Sequence, residues 1–201
     1  MTEIIYIPAS MGKLYGILRT QAAPSPLLIL SHGFGGSHTN HQDYEKFFYE
    51  NGMATFNLDF CGGGLESKSD GAMLEMTVLT EAEDLNAVID HFKDDGRFTH
   101  IFLIGFSQGG FVSSYVAAQR PRDVAGLVLE YPAYVLQDDA KRRSQDGTFP
   151  TTSDIMGQTI GRVYNEAAVS FDIYDAIGGY SGAVVYNNFP GRNRLLNNGS
   201  I

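Results

Sequence analysis

The sequence predicts an α/β fold in which helices cover both faces of a mostly parallel sheet. Short apolar runs, typical of buried strands, alternate along the chain with stretches of helical periodicity. Four of these runs span residues 27–30, 54–58, 101–104 and 124–129. Alternating strands and helices are joined by right-handed crossovers, so the strands run parallel and functional sites gather beyond their carboxyl ends.

The second observation is a serine between two glycines at a junction of strand and helix. Gly105-Phe106-Ser107-Gln108-Gly109 fits the pattern G-x-S-x-G, after an apolar run and before a helical pattern that Pro121 ends. In this context the serine occupies a strained turn with its hydroxyl exposed, and the glycines prevent clashes with neighbouring backbone. The alternative is an ordinary serine in a glycine-rich turn.

The chain opens with a predicted hairpin, followed by a first strand and helix. Residues 4–7 and 14–18 are β-like runs around a turn at 9–12. After the strand at 27–30, we expect a helix with Asn40 as its N-cap and Gly52 just past its end. Its expected core-facing side chains are Tyr44, Phe47 and Phe48.

A second helix is predicted between the strands at 54–58 and 101–104. Thr80-x-x-Glu83 has the form of a capping box. The apolar stripe that follows consists of Leu85, Val88, Ile89 and Phe92. Strand, helix and strand therefore repeat up to residue 129.

Composition narrows the class of protein. The 201 residues, 43% of them hydrophobic, predict a single globular domain over residues 1–201. A net charge of −9 argues against nucleic acid and anionic membranes as partners. The sequence contains no run of 18 apolar residues, so no membrane-spanning helix is predicted. The only cysteine, Cys61, excludes an internal disulfide and favours a reducing, cytoplasmic location. Residue spacing predicts no metal site and no cofactor, and the oligomeric state is left open.

The pattern changes after residue 131. A charged stretch, a loop-like stretch and a possible helix at 160–168 follow one another, and no strand is predicted between residues 131 and 180. Because this segment leaves the carboxyl end of a strand, we expect residues 134–180 to form a lid over the site.

His32-Gly33-Phe34-Gly35-Gly36 after one strand and the G-x-S-x-G turn after a later one together resemble the α/β-hydrolase superfamily. The hairpin, the turn at 59–64 and the lid look most like small esterases of the cinnamoyl/feruloyl type, over about residues 3–183. The resemblance implies hydrolysis of small-molecule carboxylic esters through an acyl-enzyme.

The resemblance also implies roles for individual residues. Ser107 matches the nucleophile, and the backbone N–H groups of Phe34 and Gln108 match the oxyanion hole. An acidic lid residue contacts the substrate in such esterases, for which Asp139 is the first candidate and Asp138 the second.

Other reactive residues receive structural predictions. His32 resembles a structural histidine beside the oxyanion loop, and Cys61 is expected to fill space in its loop. His38 and His41 lie in or just after the oxyanion loop and are expected to face solvent. The alternative is that one of them approaches the site as a substitute base, although no positioned acid is predicted to orient it.

The end of the chain departs from this family. Phe171–Ile177 resembles the helix before the next strand and Ala183–Val185 the start of that strand, but no Asp, Glu or His follows Asp175. The triad acid and base, the last strand or strands and the last helices are therefore predicted to be missing, and 186–201 is an atypical tail. Truncation and a shifted reading frame both fit this pattern.

Three function classes stay open. The first is a serine esterase with impaired turnover, in a fold that thioesterases and serine peptidases share. The second is a non-catalytic protein that keeps the pocket for binding. The third is a non-functional gene fragment.

Overall fold

The structure is a computed structural model that describes residues 1–188. Its main sheet contains seven strands in the order β1-β2-β4-β3-β5-β6-β9. Their bounds are β1 Thr2–Ala9, β2 Gly12–Arg19, β3 Ser25–Ser31, β4 Ala54–Asp59, β5 Phe98–Phe106, β6 Val124–Glu130 and β9 Ala183–Asn187. The β1–β2 hairpin forms one antiparallel edge, and the strands from β4 to β9 are parallel to one another.

Helices cover both faces of this sheet. They are α1 Gln42–Glu50, α2 Val78–Phe92, α3 Gln108–Gln119, α4 Leu136–Arg143, α5 Arg162–Val169 and α6 Ile173–Ile177. Side chains alternate along β3, so that Leu27 and Ile29 belong to the main core, which α2 and α3 also line. Leu28 and Leu30 belong to a smaller core on the side of α1. The predicted fold class, a mostly parallel sheet between helices, is confirmed.

The predicted start of α1 is wrong. The helix begins at Gln42, and His41 occupies the N-cap position with a left-handed backbone (φ 60°). Asn40 does not cap the helix because its side-chain oxygen accepts the Ser37 N–H at 2.8 Å within the preceding loop. The expected inward position of Phe47 is also wrong, since this side chain is exposed, whereas Tyr44 and Phe48 pack against the smaller core.

The predicted capping box of α2 is displaced by three residues. Thr77 is the N-cap, and its hydroxyl accepts the Thr80 N–H at 3.0 Å. The Thr80 hydroxyl accepts the Thr77 N–H at 2.9 Å in return. Thr80 therefore has the role that the sequence pattern assigned to Glu83, because a threonine hydroxyl reaches the same backbone N–H.

The segment 134–180 contains a hairpin that the sequence analysis did not predict. Strands β7 (Thr152–Ile155) and β8 (Gln158–Gly161) pair through a tight turn at Met156 and Gly157, both with positive φ. Each strand has four residues and a largely polar sequence, so no apolar run marks it. The predicted helices near 160–168 and 171–177 and the strand at 183–185 are confirmed as α5, α6 and β9. The tail predicted as atypical lies outside the described residues from position 189 onward.

Candidate active site

Ser107 lies at the turn between β5 and α3, with the strained backbone that the sequence predicts. Its φ of 52° and ψ of −114° fall outside the usual regions for a residue with a side chain. The turn is held from both sides, because the Ser107 N–H donates to the Glu130 carbonyl at 3.0 Å and the Ser107 carbonyl accepts the Ala133 N–H at 2.9 Å. The carboxyl end of β6 therefore supports the turn.

Two glycines permit the close packing of this turn. A Cβ atom on Gly105 would collide with the Gly109 carbonyl, and one on Gly109 would collide with the Ser31 and His32 carbonyls. Backbone contacts backbone at both positions, so the start of α3 is pressed against the ends of β3 and β5.

The loop after β3 reaches Ser107 from the other side. A Cβ atom built on Gly33 would lie 3.2 Å from the Ser107 Cβ. Phe34 follows Gly33, and Gln108 is the first residue of α3. Within residues 1–188, neither of these two main-chain N–H groups donates a hydrogen bond to another protein atom. The family resemblance implied both N–H groups as the oxyanion hole. In the structure Gln108 directly follows Ser107, and Phe34 follows the glycine that packs against Ser107.

A cavity of about 380 Å³ opens at Ser107. Four tyrosines contribute to its wall, namely Tyr131, Tyr134, Tyr174 and Tyr186. Burial raises the pKa of Tyr134 to about 12, so its ring is neutral at pH 7. No single motif of the sequence indicated this aromatic wall, because its members come from three separate parts of the chain.

The structure separates the two acidic candidates of α4. Asp138 lines the cavity. Asp139 does not line it and is bound to the Arg142 guanidinium at 2.6 Å on the exposed side of the helix. Neighbouring helical residues point about 100° apart, so only one of the two faces the cavity. The structure therefore favours Asp138 over Asp139, the reverse of the sequence-based order.

His32 has the structural position that the resemblance implied. Its Nε2 accepts the Phe60 N–H at 3.0 Å, and its Nδ1 lies 2.7 Å from the Gly33 carbonyl. Burial is the main cause that lowers the pKa of this imidazole, which favours a neutral ring with one donor and one acceptor. The Nε2 contact thus connects the loops after β3 and β4, and the Nδ1 contact stays within the loop after β3.

The expectation that His38 faces solvent is wrong. The residue is buried, and its Nδ1 lies 2.8 Å from a carboxyl oxygen of Asp59. His38 therefore does have an acid that orients it, contrary to the sequence-based prediction. Asp59 is the last residue of β4 and lies 21 residues after His38, so no local sequence pattern predicts that the two side chains meet.

His41 is partly buried rather than solvent-facing, which corrects the second expectation. Its ring is stacked on Phe106, with centroids 3.6 Å apart and planes 4° from parallel. Burial lowers the pKa of His41 below its usual value. Within residues 1–188, no hydrogen bond joins the Ser107 hydroxyl to any histidine.

Other chemistry is limited in the described part of the chain. Cys61 is buried, and burial raises the pKa of its thiol to about 12, as suits a residue that fills its loop. Among residues 1–188, no group of three or more His, Cys, Asp or Glu side chains is arranged to hold a metal ion. No helix in this range is long and apolar enough to cross a membrane.

Comparison with known proteins identifies monoglyceride lipases among the relatives of this chain. Monoglyceride lipase of Mus musculus is 28% identical over 114 residues, which are 57% of this chain and 37% of the relative. The Homo sapiens enzyme of the same name is 27% identical over 54% of this chain and 35% of its own length. The chain thus spans little more than a third of the length of these curated relatives.

Among solved structures, Est1E from Butyrivibrio proteoclasticus with bound ferulic acid superposes with a TM-score of 0.81 at 26% identity. The match covers 90% of this chain and 77% of Est1E. The family model described as serine aminopeptidase, S33, matches residues 22–186. The chain therefore belongs to the family described as serine aminopeptidase, S33, and has the α/β-hydrolase fold.

Proposed function

We propose that Ser107 is the nucleophile of a carboxylic ester hydrolase that works through an acyl-enzyme. One observation carries this proposal: a strained serine lies at the edge of a cavity, beside two main-chain N–H groups that donate to no described protein atom. Backbone strain of this kind costs about 1–3 kcal/mol and persists where function requires it.

The arrangement fits the charge that develops in ester hydrolysis. When the Ser107 hydroxyl oxygen attacks the ester carbon, negative charge forms on the former carbonyl oxygen. The N–H groups of Phe34 and Gln108 form the oxyanion hole, each such donor being worth about 3–4 kcal/mol in comparable enzymes. The N-terminus of α3 adds its dipole at the same point. Expulsion of the alcohol leaves the acyl-enzyme, and water then releases the acid.

The cavity favours an aromatic acyl group with a polar far end. The rings of Tyr134 and Tyr174 lie 5.7 Å apart in the cavity wall, and Asp138 supplies a carboxyl oxygen at its rim. That oxygen accepts a hydrogen bond from a hydroxyl on the substrate ring. The likeness to Est1E, which binds ferulic acid, supports this substrate class. Segment 134–180 acts as the lid of the site, since it supplies Tyr134, Asp138 and Tyr174.

A second candidate function, ligand binding without turnover, is favoured by one observation. None of the described hydrogen bonds connects Ser107 to a histidine, and all five histidines of the sequence lie within residues 1–188. A serine hydroxyl is a weak nucleophile unless a neighbouring base takes its proton. The cavity itself does not depend on such a base.

Covalent labelling and ligand binding together separate these functions. The purified chain is treated with an excess of a fluorophosphonate, and the modified peptide is located by mass spectrometry. Ferulate binding is measured in parallel by calorimetry. The proposal expects an adduct on Ser107 that the Ser107→Ala variant lacks. Ferulate binding without an adduct supports the binding protein instead, and the absence of both contradicts the two functions.

A further inference from the structure

Three buried side chains form a hydrogen-bonded row beneath the Ser107 turn. The Tyr164 hydroxyl donates to Oε1 of Gln108 at 2.5 Å, and Nε2 of Gln108 donates to the Glu81 carboxyl group at 2.9 Å. Their exposed fractions are 2%, 1% and 1%. The three residues come from α5, α3 and α2. The row therefore connects segment 134–180, which we call the inserted segment, to two helices that pack on the main sheet. We call this row the Gln108 clamp.

Tyr164 also contacts the second residue of the proposed oxyanion hole. Its ring packs edge-on against Phe34, with centroids 6.0 Å apart. One residue farther along the same loop, a Cβ atom on Gly35 would collide with the side-chain amide of Gln158, which belongs to β8. The inserted segment thus contacts the loop after β3 and the start of α3 at the same time.

The clamp restricts Gln108 because both ends of its side-chain amide are engaged. A buried amide group that loses a hydrogen-bond partner destabilises the fold, so the pair of bonds selects one side-chain conformation. Gln108 is also the first residue of α3, and its main-chain N–H is one of the two at this turn that donate to no protein atom within residues 1–188. The two bonds therefore hold the residue whose backbone directly follows Ser107.

We propose that Tyr164 is a positioning residue. It holds the Gln108 side chain next to Glu81 and packs against Phe34, so that the contacts of segment 134–180 align the two N–H donors at Ser107. The alignment rests on the proposed hydrolase function. The mechanical part, attachment of α5 to the Ser107 turn, does not depend on it.

The Tyr164→Phe variant tests this proposal, with Tyr180→Phe as a matched control. Tyr164→Phe keeps the ring against Phe34 and removes only the hydroxyl. Tyr180 is also buried, with 4% of its surface exposed, and its hydroxyl donates to the Val124 carbonyl at 3.2 Å, away from the cavity. Amide hydrogen exchange is measured over 162–169 and 108–112, together with the fluorophosphonate reaction rate at Ser107 and the ferulate dissociation constant.

We expect Tyr164→Phe to accelerate exchange in both segments and to slow the reaction at Ser107 about tenfold, as expected for a partial loss of oxyanion stabilisation. The ferulate dissociation constant should change less than twofold, because the donors act on the tetrahedral adduct and not on the bound acid. Tyr180→Phe should leave rate and exchange in these segments unchanged.

Two results overturn the proposal. Unchanged exchange in Tyr164→Phe contradicts the clamp, even if Ser107 reacts as proposed. An equal loss of rate in both variants indicates a general loss of stability and contradicts the positioning role. A wild-type chain that never reacts at Ser107 contradicts the proposed function instead, and hydrogen exchange then decides the clamp alone.

Discussion

Two polar sites lie along the carboxyl edge of the sheet, and they divide between them the parts of a serine hydrolase. At the end of β5, Ser107 has a strained backbone and no hydrogen bond to a histidine among the described residues. At the end of β4, His38 and Asp59 form a buried acid–imidazole pair. Among the described residues, one site has the proposed nucleophile without a neighbouring base, and the other has an imidazole that is oriented by an acid but hydrogen-bonded to no serine.

The hydrogen bonds explain the difference. Besides the His38 ring, Asp59 accepts the main-chain N–H groups of His38 and Lys68, the latter at 2.8 Å. The His38 carbonyl in turn accepts a hydrogen bond from Asn57 at 2.9 Å. This pair connects two loops and stabilises the fold. The Ser107 side chain, in contrast, makes no hydrogen bond to a protein atom among the described residues, so it does not connect loops in this way.

The largest expected effect is on stability, at the structural pair. Asp59→Asn replaces a carboxyl oxygen that accepts N–H groups by an amide donor, which leaves buried donors facing one another. We expect the free energy of unfolding to fall by about 3–5 kcal/mol, measured by urea denaturation. Ser107→Ala is the control and should change it by less than about 0.5 kcal/mol. Similar losses in both variants would remove the distinction between the two sites.

A smaller effect is expected beneath Ser107, where Glu81 is buried. Burial is the main cause that raises the pKa of Glu81 to about 8, with nearby Asp84 raising it further and the hydrogen bond from Gln108 lowering it. The folded protein therefore binds this proton more tightly than the unfolded chain, whose glutamate pKa is about 4.3. Stability from this group is present below pH 4 and is lost as the pH rises to about 8.

Glu81→Gln removes that loss. At pH 8 we expect the free energy of unfolding of the variant to exceed that of the wild type by a few kcal/mol, as the pKa difference implies. At pH 4 the two values should be nearly equal. Glu83→Gln, an exposed position on the same helix, is the control and should follow the wild type at both pH values. A pH-independent difference between Glu81→Gln and the wild type would contradict the buried, protonated Glu81.

Sequence patterns predicted the features that depend on residues close together in the chain, and they missed the contacts between residues far apart in the chain. The Ser107 turn, its glycines and the order of strands and helices up to β6 are local features, and the structure has them where expected, whereas the β7–β8 hairpin was missed. His38 and Asp59 are 21 residues apart, and Tyr164 and Gln108 are 56 apart. Hydrophobic periodicity shows which face of a helix is buried, but not which buried polar groups meet. Asp138 and Asp139 illustrate the same limit, because adjacent helical positions cannot be ranked without the cavity.

The smallest expected effect concerns catalysis by the structural pair. Strand β3 separates β4 from β5, and adjacent strands lie about 4.8 Å apart, so the strand ends carrying Asp59 and Ser107 are roughly 10 Å apart. A general base must lie within about 2.6–3.2 Å of the hydroxyl or act through one water. To reach Ser107, His38 would have to leave Asp59, the acid that orients it.

We therefore expect His38→Asn and His41→Asn to change the slow hydrolysis of 4-nitrophenyl acetate by less than twofold per folded molecule. The rate itself should stay near the roughly 10³–10⁴-fold acceleration over water that binding and an oxyanion hole provide without a triad. The folded fraction is measured by denaturation, because His38→Asn also weakens the Asp59 loops. Fast turnover that both Ser107→Ala and His38→Asn abolish would mean that the two sites act as one, through a movement of the loop after β3 that brings the imidazole to the serine.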